Sequence, residues 1–265
     1  MKKLLTIISF LLIAVPVVFA QSNNTQKSST IVIVPGSWSS AADWESVTAT
    51  LKAKGKEVIV VNLAGHGTDN TPIANISLQG YVDAVKKAIG NRTNVLLIGH
   101  SFGGIVISEV AEQMPAQIIE LLFIAAYIPK NGESLLSIAN TDANSDVPKY
   151  LKVAEKNGIA SIDVNGITPT FVPDASQPVQ AYVTAHFKAE PLAPLATPVT
   201  LTPAHFGSVN KVYVHTYNDK VNSYPLQQRM IKDAGITRFY GLPSSHTPFV
   251  SMPSVLAAII LNEAN

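Results

Sequence analysis

Val95-Leu96-Leu97-Ile98-Gly99-His100-Ser101-Phe102-Gly103-Gly104 is the stretch that decides how the rest of the chain is read. Four apolar residues in a row fit a strand buried on both faces. The residues that follow, 102–114, have the apolar pattern of a helix and begin without a gap. Between the two lies Gly-His-Ser-Phe-Gly, a G-x-S-x-G pattern. Alone it is weak, because Gly and Ser are common in ordinary βα turns. Directly after a buried strand and directly before a helix, it reads as a nucleophile elbow, in which a strained turn lifts the Ser101 hydroxyl above the sheet edge. Gly99 and Gly103 remove side chains where strand and helix must pack closely. The helix N-terminus supplies free N–H groups and a positive dipole end, suited to a developing oxyanion.

Outward from this stretch, apolar runs alternate with amphipathic ones. Upstream, Ile31-Val32-Ile33-Val34 and Val58-Ile59-Val60-Val61 read as buried strands, with helices expected over 42–54 and from a Ser77 cap to Ile89. Downstream, 119–126 reads as a fourth strand. The alternation then breaks. Residues 131–207 are rich in Pro, Ser, Thr and Asn, with helical patches near 147–156 and 178–187, and lack the continuous apolar pattern of an independent core. Strand 212–216, helix 226–234, strand 238–240 and helix 254–262 restore it. The expected fold is therefore α/β, a mostly parallel sheet with helices on both faces, occupying 31–265 and carrying an insertion at about 131–207.

Composition agrees. The chain has 265 residues, 47% hydrophobic and 14% charged, with a formal net charge of +1. That suffices for one large core and argues against a disordered chain or a nucleic-acid partner. Without cysteine there can be no disulfide and no thiolate nucleophile. Lys2 and Lys3 precede an apolar run ending Val18-Phe19-Ala20, which reads as a signal peptide over 1–20 cut after Ala20. A flexible lead-in over 21–30, no stable membrane span after leader removal, and a secreted or periplasmic location follow from that reading. The alternative, an uncleaved anchor, suits a run this short and carrying Pro16 less well.

A serine hydroxyl needs a base. Of six histidines, His66 lies in a Gly-His-Gly turn, His100 points from the elbow into the fold, His186 and His205 fall in the insertion, and His215 sits in a strand. His246, in Pro243-Ser244-Ser245-His246-Thr247-Pro248 after the last strand, is the candidate base. A third residue must orient that imidazole, in the chain order Ser, Asp or Glu, His. Asp219, just beyond the strand at 212–216, is best placed; a turn-forming Asn218-Asp219 pair is the competing reading. The oxyanion hole is expected from the N–H of Phe102 and, in the turn Val34-Pro35-Gly36-Ser37-Trp38, the N–H of Ser37, since Pro35 cannot donate.

These residues resemble the α/β-hydrolase superfamily, most of all its branch of small esterases that includes plant methyl-ester hydrolases and hydroxynitrile lyases. Gly36-Ser37-Trp38 with Trp44 resembles that branch's His-Gly-Ala-Trp segment, and Asn62-Leu63-Ala64-Gly65-His66-Gly67 its Asp-Leu-Pro-Gly-His-Gly turn. Val212-Tyr213-Val214-His215 through Asp219 and Gln227 to Ile231 resembles the acid-bearing strand and its helix, and Ser245-His246-Thr247-Pro248 the histidine loop. The resemblance implies that the insertion is a lid over an acyl pocket. Two positions depart from the pattern. Pro35 stands where the family has a histidine, which bears on how that turn is braced. Gly36 and Thr247 stand where the lyases carry a threonine and a lysine. Without a cation beside the histidine to stabilise departing cyanide, ester hydrolysis is favoured over C–C cleavage. The expected activity is a serine carboxylic ester hydrolase without cofactor or metal, acting on a small or medium uncharged ester. Amide or lactone substrates, a lyase and a non-catalytic binding protein on the same fold remain the alternatives, and the oligomeric state is open.

Overall fold

In the computed structural model, residues 29–265 are described, so the expected leader over 1–20 and nearly all of the lead-in lie outside the described residues. The first half of the chain runs β1 (Thr30–Val34), α1 (Glu45–Ala53), β2 (Val58–Val60), α2 (Leu78–Ile89), β3 (Val95–His100), α3 (Gly103–Gln113) and β4 (Ile118–Ile124). Ser77 caps α2 by accepting the Gly80 N–H at 3.1 Å. After β4 come α4 (Leu135–Ala139), α5 (Val147–Tyr150), β5 (Leu151–Ala154), β6 (Ile159–Ile162), α6 (Val164–Phe171), α7 (Gln177–His186), β7 (Glu190–Pro191) and α8 (Leu192–Ala196). The chain then returns through β8 (Asn210–Thr216), α9 (Tyr224–Asp233), β9 (Arg238–Leu242), α10 (Pro248–Ser251) and α11 (Pro253–Glu263).

The main sheet has the order β2-β1-β3-β4-β8-β9, every pair parallel. Alternate residues of β1 show why it must be covered twice. Ile31 and Ile33 pack with Trp44, Leu51, Leu256 and Ile260 on the α1 and α11 side. Val32 and Val34 pack with Val85, Phe102, Val106 and Met230 on the α2, α3 and α9 side. These four aliphatic side chains of β1 are fully buried, each contributing about 1.5–3 kcal/mol relative to exposure. Among the described residues no helix is long and apolar enough to cross a membrane.

The sheet order sets the place for a ligand. From β1 the chain crosses to β2 on one side, while β3 lies on the other, so a crevice opens beyond the carboxyl ends of β1 and β3. The turn after β1 and the Ser101 turn after β3 meet there.

The segment between β4 and β8 departs from expectation: α4, α6 and α8 lie outside the two expected helical patches, and one of those patches is mostly strand. The helical patch expected near 147–156 is a single turn, α5, followed by β5, which pairs antiparallel with β6, which in turn pairs with β7. Gly158, at φ +64°, closes the β5–β6 hairpin, and Val153, poorly suited to a helix, lies in β5 across from Ala160. Cross-strand pairing outweighs the local helical pattern there. The apolar side of this segment packs onto the main domain: Ile162, Ile167 and Phe171 cluster with Val221, and Trp38 and Phe187 border them.

Candidate active site

Ser101 sits at the tip of β3 with φ +52°, a left-handed conformation that strains any residue carrying a Cβ. Its backbone is tied on both sides. The Ser101 N–H donates to Ile124 O at 3.3 Å, and Ser101 O accepts from the N–H of Gly104 at 3.0 Å and of Tyr127 at 3.1 Å. Close approach explains the neighbouring glycines. A Cβ on Gly99 would lie 2.7 Å from Gly103 O, and one on Gly36 would lie 2.7 Å from Ser101 Cβ and 2.8 Å from His100 Nδ1. The turn after β1 therefore lies directly against the serine. Within that turn, the Trp38 N–H is donated to Glu190 Oε2 at 2.9 Å and the Ser39 N–H to Gly36 O at 3.4 Å. Among the described residues the Ser37 N–H has no acceptor. Phe102, next after Ser101, opens α3, where an N–H has no carbonyl one turn earlier.

His246 and Asp219 are brought together. His246 Nδ1 lies 2.9 Å from Asp219 Oδ2, with both side chains almost wholly buried. The carboxylate accepts further bonds. Thr216 Oγ1 donates to Oδ2 at 2.8 Å and Gln227 Nε2 at 3.2 Å, while the N–H groups of Val221 and Asn222 reach Oδ1 at 2.8 and 3.0 Å. So many donors fix the acid in one orientation. With Nδ1–H given to Asp219, the lone pair of His246 is on Nε2. The third link is not closed: Ser101 Oγ makes no hydrogen bond to His246 in this conformation. Such links are commonly long in unliganded sites and tighten with substrate.

His100 connects serine and histidine by another route. It is buried, and its Nε2 lies 2.9 Å from His246 O, which can only accept, so Nε2 carries the proton. Burial, then the neighbouring His246, pushes its pKa well below the ordinary histidine range. His100 is thus a neutral donor that fixes the His246 backbone, wedged against Phe249 and Trp44. The flanks of His246 are held from the segment between β4 and β8. The Ser245 N–H donates to Asp174 Oδ2 at 2.9 Å, Ser245 Oγ also bonds Asp174, and Thr247 Oγ1 donates to Phe171 O at 2.9 Å.

Beside these residues is a cavity lined by Ser37, Trp38, Phe171, Phe187, His246 and Thr247, with an interior of about 20 Å³, the room of a single water. Trp38 stacks on Phe187 (5.8 Å between rings, 11°) and meets Phe171 edge-on, and Phe171 stands edge-on to His246. Among the described residues no group of His, Asp and Glu could hold a metal ion.

Of the other histidines, His215 is buried in β8, His205 is exposed beside Glu112, and His186 borders the aromatic cavity. Thr216, Asp174 and Glu190 have no signal in the sequence that would mark them. Each is a common polar residue, and the partners of Asp174 and Glu190 lie far along the chain. Gln227 is visible only through the family pattern of its helix.

The family described as "Alpha/beta hydrolase family" matches residues 31–259. Over 248 residues the chain is 29% identical to putative methylesterase 11, chloroplastic, of Arabidopsis thaliana, covering 88% of this chain and 63% of that protein. It is 24% identical to a pyrethroid hydrolase of Sphingobium wenxiniae, covering 89% and 87%. Among solved structures, an extracellular alpha/beta-hydrolase from a Paenibacillus species, described as sharing structural and functional homology with tobacco salicylic acid binding protein 2, superposes with a TM-score of 0.78. That pair is 25% identical, covering 89% and 99% of the two chains. The chain spans only 55–63% of the length of putative methylesterases 11, 13 and 15.

Proposed function

The chain belongs to the alpha/beta hydrolase family, and from that premise we propose that it is a serine carboxylic ester hydrolase with Ser101 as nucleophile, His246 as base and Asp219 as its orienting acid. The observation that carries the reading is the 2.9 Å His246–Asp219 bond, formed at the same sheet edge where Ser101 is held at φ +52°. Ser101 Oγ attacks the ester carbonyl carbon as its proton passes to His246 Nε2. The carbonyl oxygen, now negative, is received by the N–H groups of Phe102 and Ser37. His246 returns the proton to the departing alcohol, and a water, deprotonated by His246, then releases the acid from Ser101. Asp219 stabilises the imidazolium at both stages.

The aromatic walls of the cavity, together with relatives named methylesterase and pyrethroid hydrolase, support an uncharged ester of small or medium size. Room for such an ester requires Phe171, Phe187 or Trp38 to turn aside. These rings, two of them from the segment between β4 and β8, support reading that segment as a lid. Thr247 in place of a lysine speaks against cyanohydrin cleavage. We propose also that residues 1–20 direct export; N-terminal sequencing of the exported protein should begin at Gln21.

Ser101→Ala should abolish turnover of short p-nitrophenyl esters and labelling by a fluorophosphonate while leaving the circular dichroism unchanged. A variant that retains wild-type turnover refutes the assignment. Cyanide release from a cyanohydrin without ester turnover would favour a lyase.

A further inference from the structure

In the turn that would hold the oxyanion, Pro35 precedes Gly36 and has neither a side-chain donor nor an N–H. The turn is nevertheless gripped from another direction. Trp38, adjacent to Ser37, has φ +58°, a conformation that persists only where the surroundings impose it. Its N–H donates to Glu190 Oε2 at 2.9 Å, its indole Nε1–H to Ala160 O at 3.3 Å, and its ring lies on Phe187. Every one of these partners comes from the segment between β4 and β8. Glu190 is 1% exposed. Its other oxygen lies 3.3 Å from His66 Nε2, and His66 Nδ1 lies 2.7 Å from Ser39 O, one residue beyond Trp38. Glu190 and His66 thus hold the turn at two successive residues.

We propose that Glu190 is a positioning residue for the oxyanion turn: by accepting the Trp38 N–H it fixes the Ser37 peptide opposite Ser101, and so makes catalysis depend on the seating of the segment that carries it. This inference rests on the ester-hydrolase reading for its kinetic consequence but not for its structural one. His66 is a supporting member. Burial opposes its charge, but the Glu190 carboxylate and the Ser39 carbonyl outweigh that and raise its pKa above the ordinary value. The other groups facing it are Tyr81, whose hydroxyl is 3.3 Å from Nε2, and Lys188, whose ammonium is turned to the carbonyls of Gly67 and Asp69.

Two roles for Glu190 are separable by the choice of substitution. If the acceptor at Trp38 matters, Glu190→Gln works, because its amide oxygen still accepts the Trp38 N–H and its NH₂ can donate to a neutral His66. Glu190→Asp fails, because the shorter side chain withdraws the acceptor by about the length of one C–C bond. If only the ion pair with His66 matters, the order is reversed. The experiment measures kcat and KM on a short p-nitrophenyl ester, and hydrogen exchange at the Trp38 amide by NMR, for the full chain and its Gln, Asp and Ala variants. Loss of one oxyanion donor typically costs about 100–1,000-fold in kcat, and a loosened donor less. The expected result is a kcat reduced about 10–100-fold in Asp and Ala with KM within twofold, exchange at Trp38 faster by tenfold or more, and Gln close to wild type in both. Should the Ala variant fail to fold, the Gln–Asp contrast decides alone. Unchanged Trp38 exchange in the Asp variant, or Asp outperforming Gln, overturns the proposal. If wild type hydrolyses no ester, the function proposed above fails, while the exchange contrast still judges Glu190.

Discussion

Replacing Gly99 by alanine tests the elbow where strand and helix are closest. The added Cβ would lie 2.7 Å from Gly103 O, 2.8 Å from its carbonyl carbon and 2.9 Å from Gly104 N, all backbone atoms, against an ordinary contact of 3.4 Å or more. Relief requires β3 and the start of α3 to separate by about 0.5–0.7 Å, the difference between those distances. Overpacking of this kind costs about 1–3 kcal/mol. Glycine's larger unfolded-state entropy returns about 0.5–1 kcal/mol to the alanine variant. The net loss is up to about 2.5 kcal/mol and centres near 1 kcal/mol, a fall in Tm of roughly 2–4 °C at that centre for a chain of this size. The effect on rate should be larger. The displacement falls on Ser101 and the Phe102 N–H, and a donor works only within about 2.7–3.1 Å of the oxyanion. A misplacement near 1 Å costs about 100-fold, so kcat should drop about 10–100-fold. The control is Gly80→Ala in α2, where the nearest heavy atom is Ser77 Oγ at 3.4 Å; it should gain up to about 1 kcal/mol and keep full activity. Calorimetric melting and p-nitrophenyl ester kinetics on both variants decide. A Gly99→Ala protein that melts within 1 °C of wild type and keeps its kcat refutes the close-packing argument.

Ser101→Gly and Ser101→Ala should both be inactive, but the glycine variant should be at least as stable, by up to about 1 kcal/mol. Left-handed strain of about 1–2 kcal/mol is relieved against an entropic cost of about 0.5–1. Denaturant titration showing the glycine variant weaker by more than 1 kcal/mol would contradict this. Near the amino ends of β4 and β9, burial, then the adjacent Glu263, pushes the Glu120 pKa up to about 7 even though Arg238 bridges both carboxylates. Since the folded pKa is raised, the contribution is complete below the unfolded value near 4.5 and is lost as pH rises through about 7. Melting temperatures should therefore decline between pH 5 and pH 8 in wild type and decline less in Glu120→Gln; parallel slopes would count against the assignment. Asp174→Ala removes the acceptor of the Ser245 N–H and should lower kcat about tenfold with little change in KM, checked by steady-state kinetics. A kcat within twofold of wild type would mean the histidine loop does not need that anchor.

The parts of the fold legible in the sequence are those where local pattern and tertiary demand agree. Ile31-Val32-Ile33-Val34 and Val95-Leu96-Leu97-Ile98 are apolar at every position because both faces of β1 and β3 are covered. The glycines around Ser101 are explained by backbone approaches that no Cβ would survive. Ser101, Asp219 and His246 could be singled out because each follows a strand, and the carboxyl ends of parallel strands converge on one edge. The segment between β4 and β8 leaves little trace in the sequence for the opposite reason. Its elements are short, and its antiparallel sheet joins residues by pairings that leave little local trace; Ile159 meets Pro191 across about thirty residues of intervening chain.

That same segment supplies what the local pattern lacks at the edge of the site. Phe171 O receives the Thr247 hydroxyl, Asp174 receives the Ser245 N–H, and Glu190 receives the Trp38 N–H. These three contacts fall on the neighbours of His246 and of Ser37, not on the two residues themselves. Main-chain geometry at both places is thereby set by a part of the chain whose own side chains fill the cavity an ester would enter. A movement that opens the cavity by displacing Phe171 and Phe187 must strain or break these contacts unless the rings turn while α6 and β7 stay seated. Turning the rings gives up their pair contacts, about 0.5–1.5 kcal/mol each, whereas lifting the backbone forfeits those contacts and also several buried hydrogen bonds at about 1 kcal/mol each, more where Asp174 and Glu190 are involved. The cheaper route leaves Ser37 and His246 in place. On energetic grounds, then, the ester proposed above would enter past rotating rings, with the turn after β1 and the histidine loop already held.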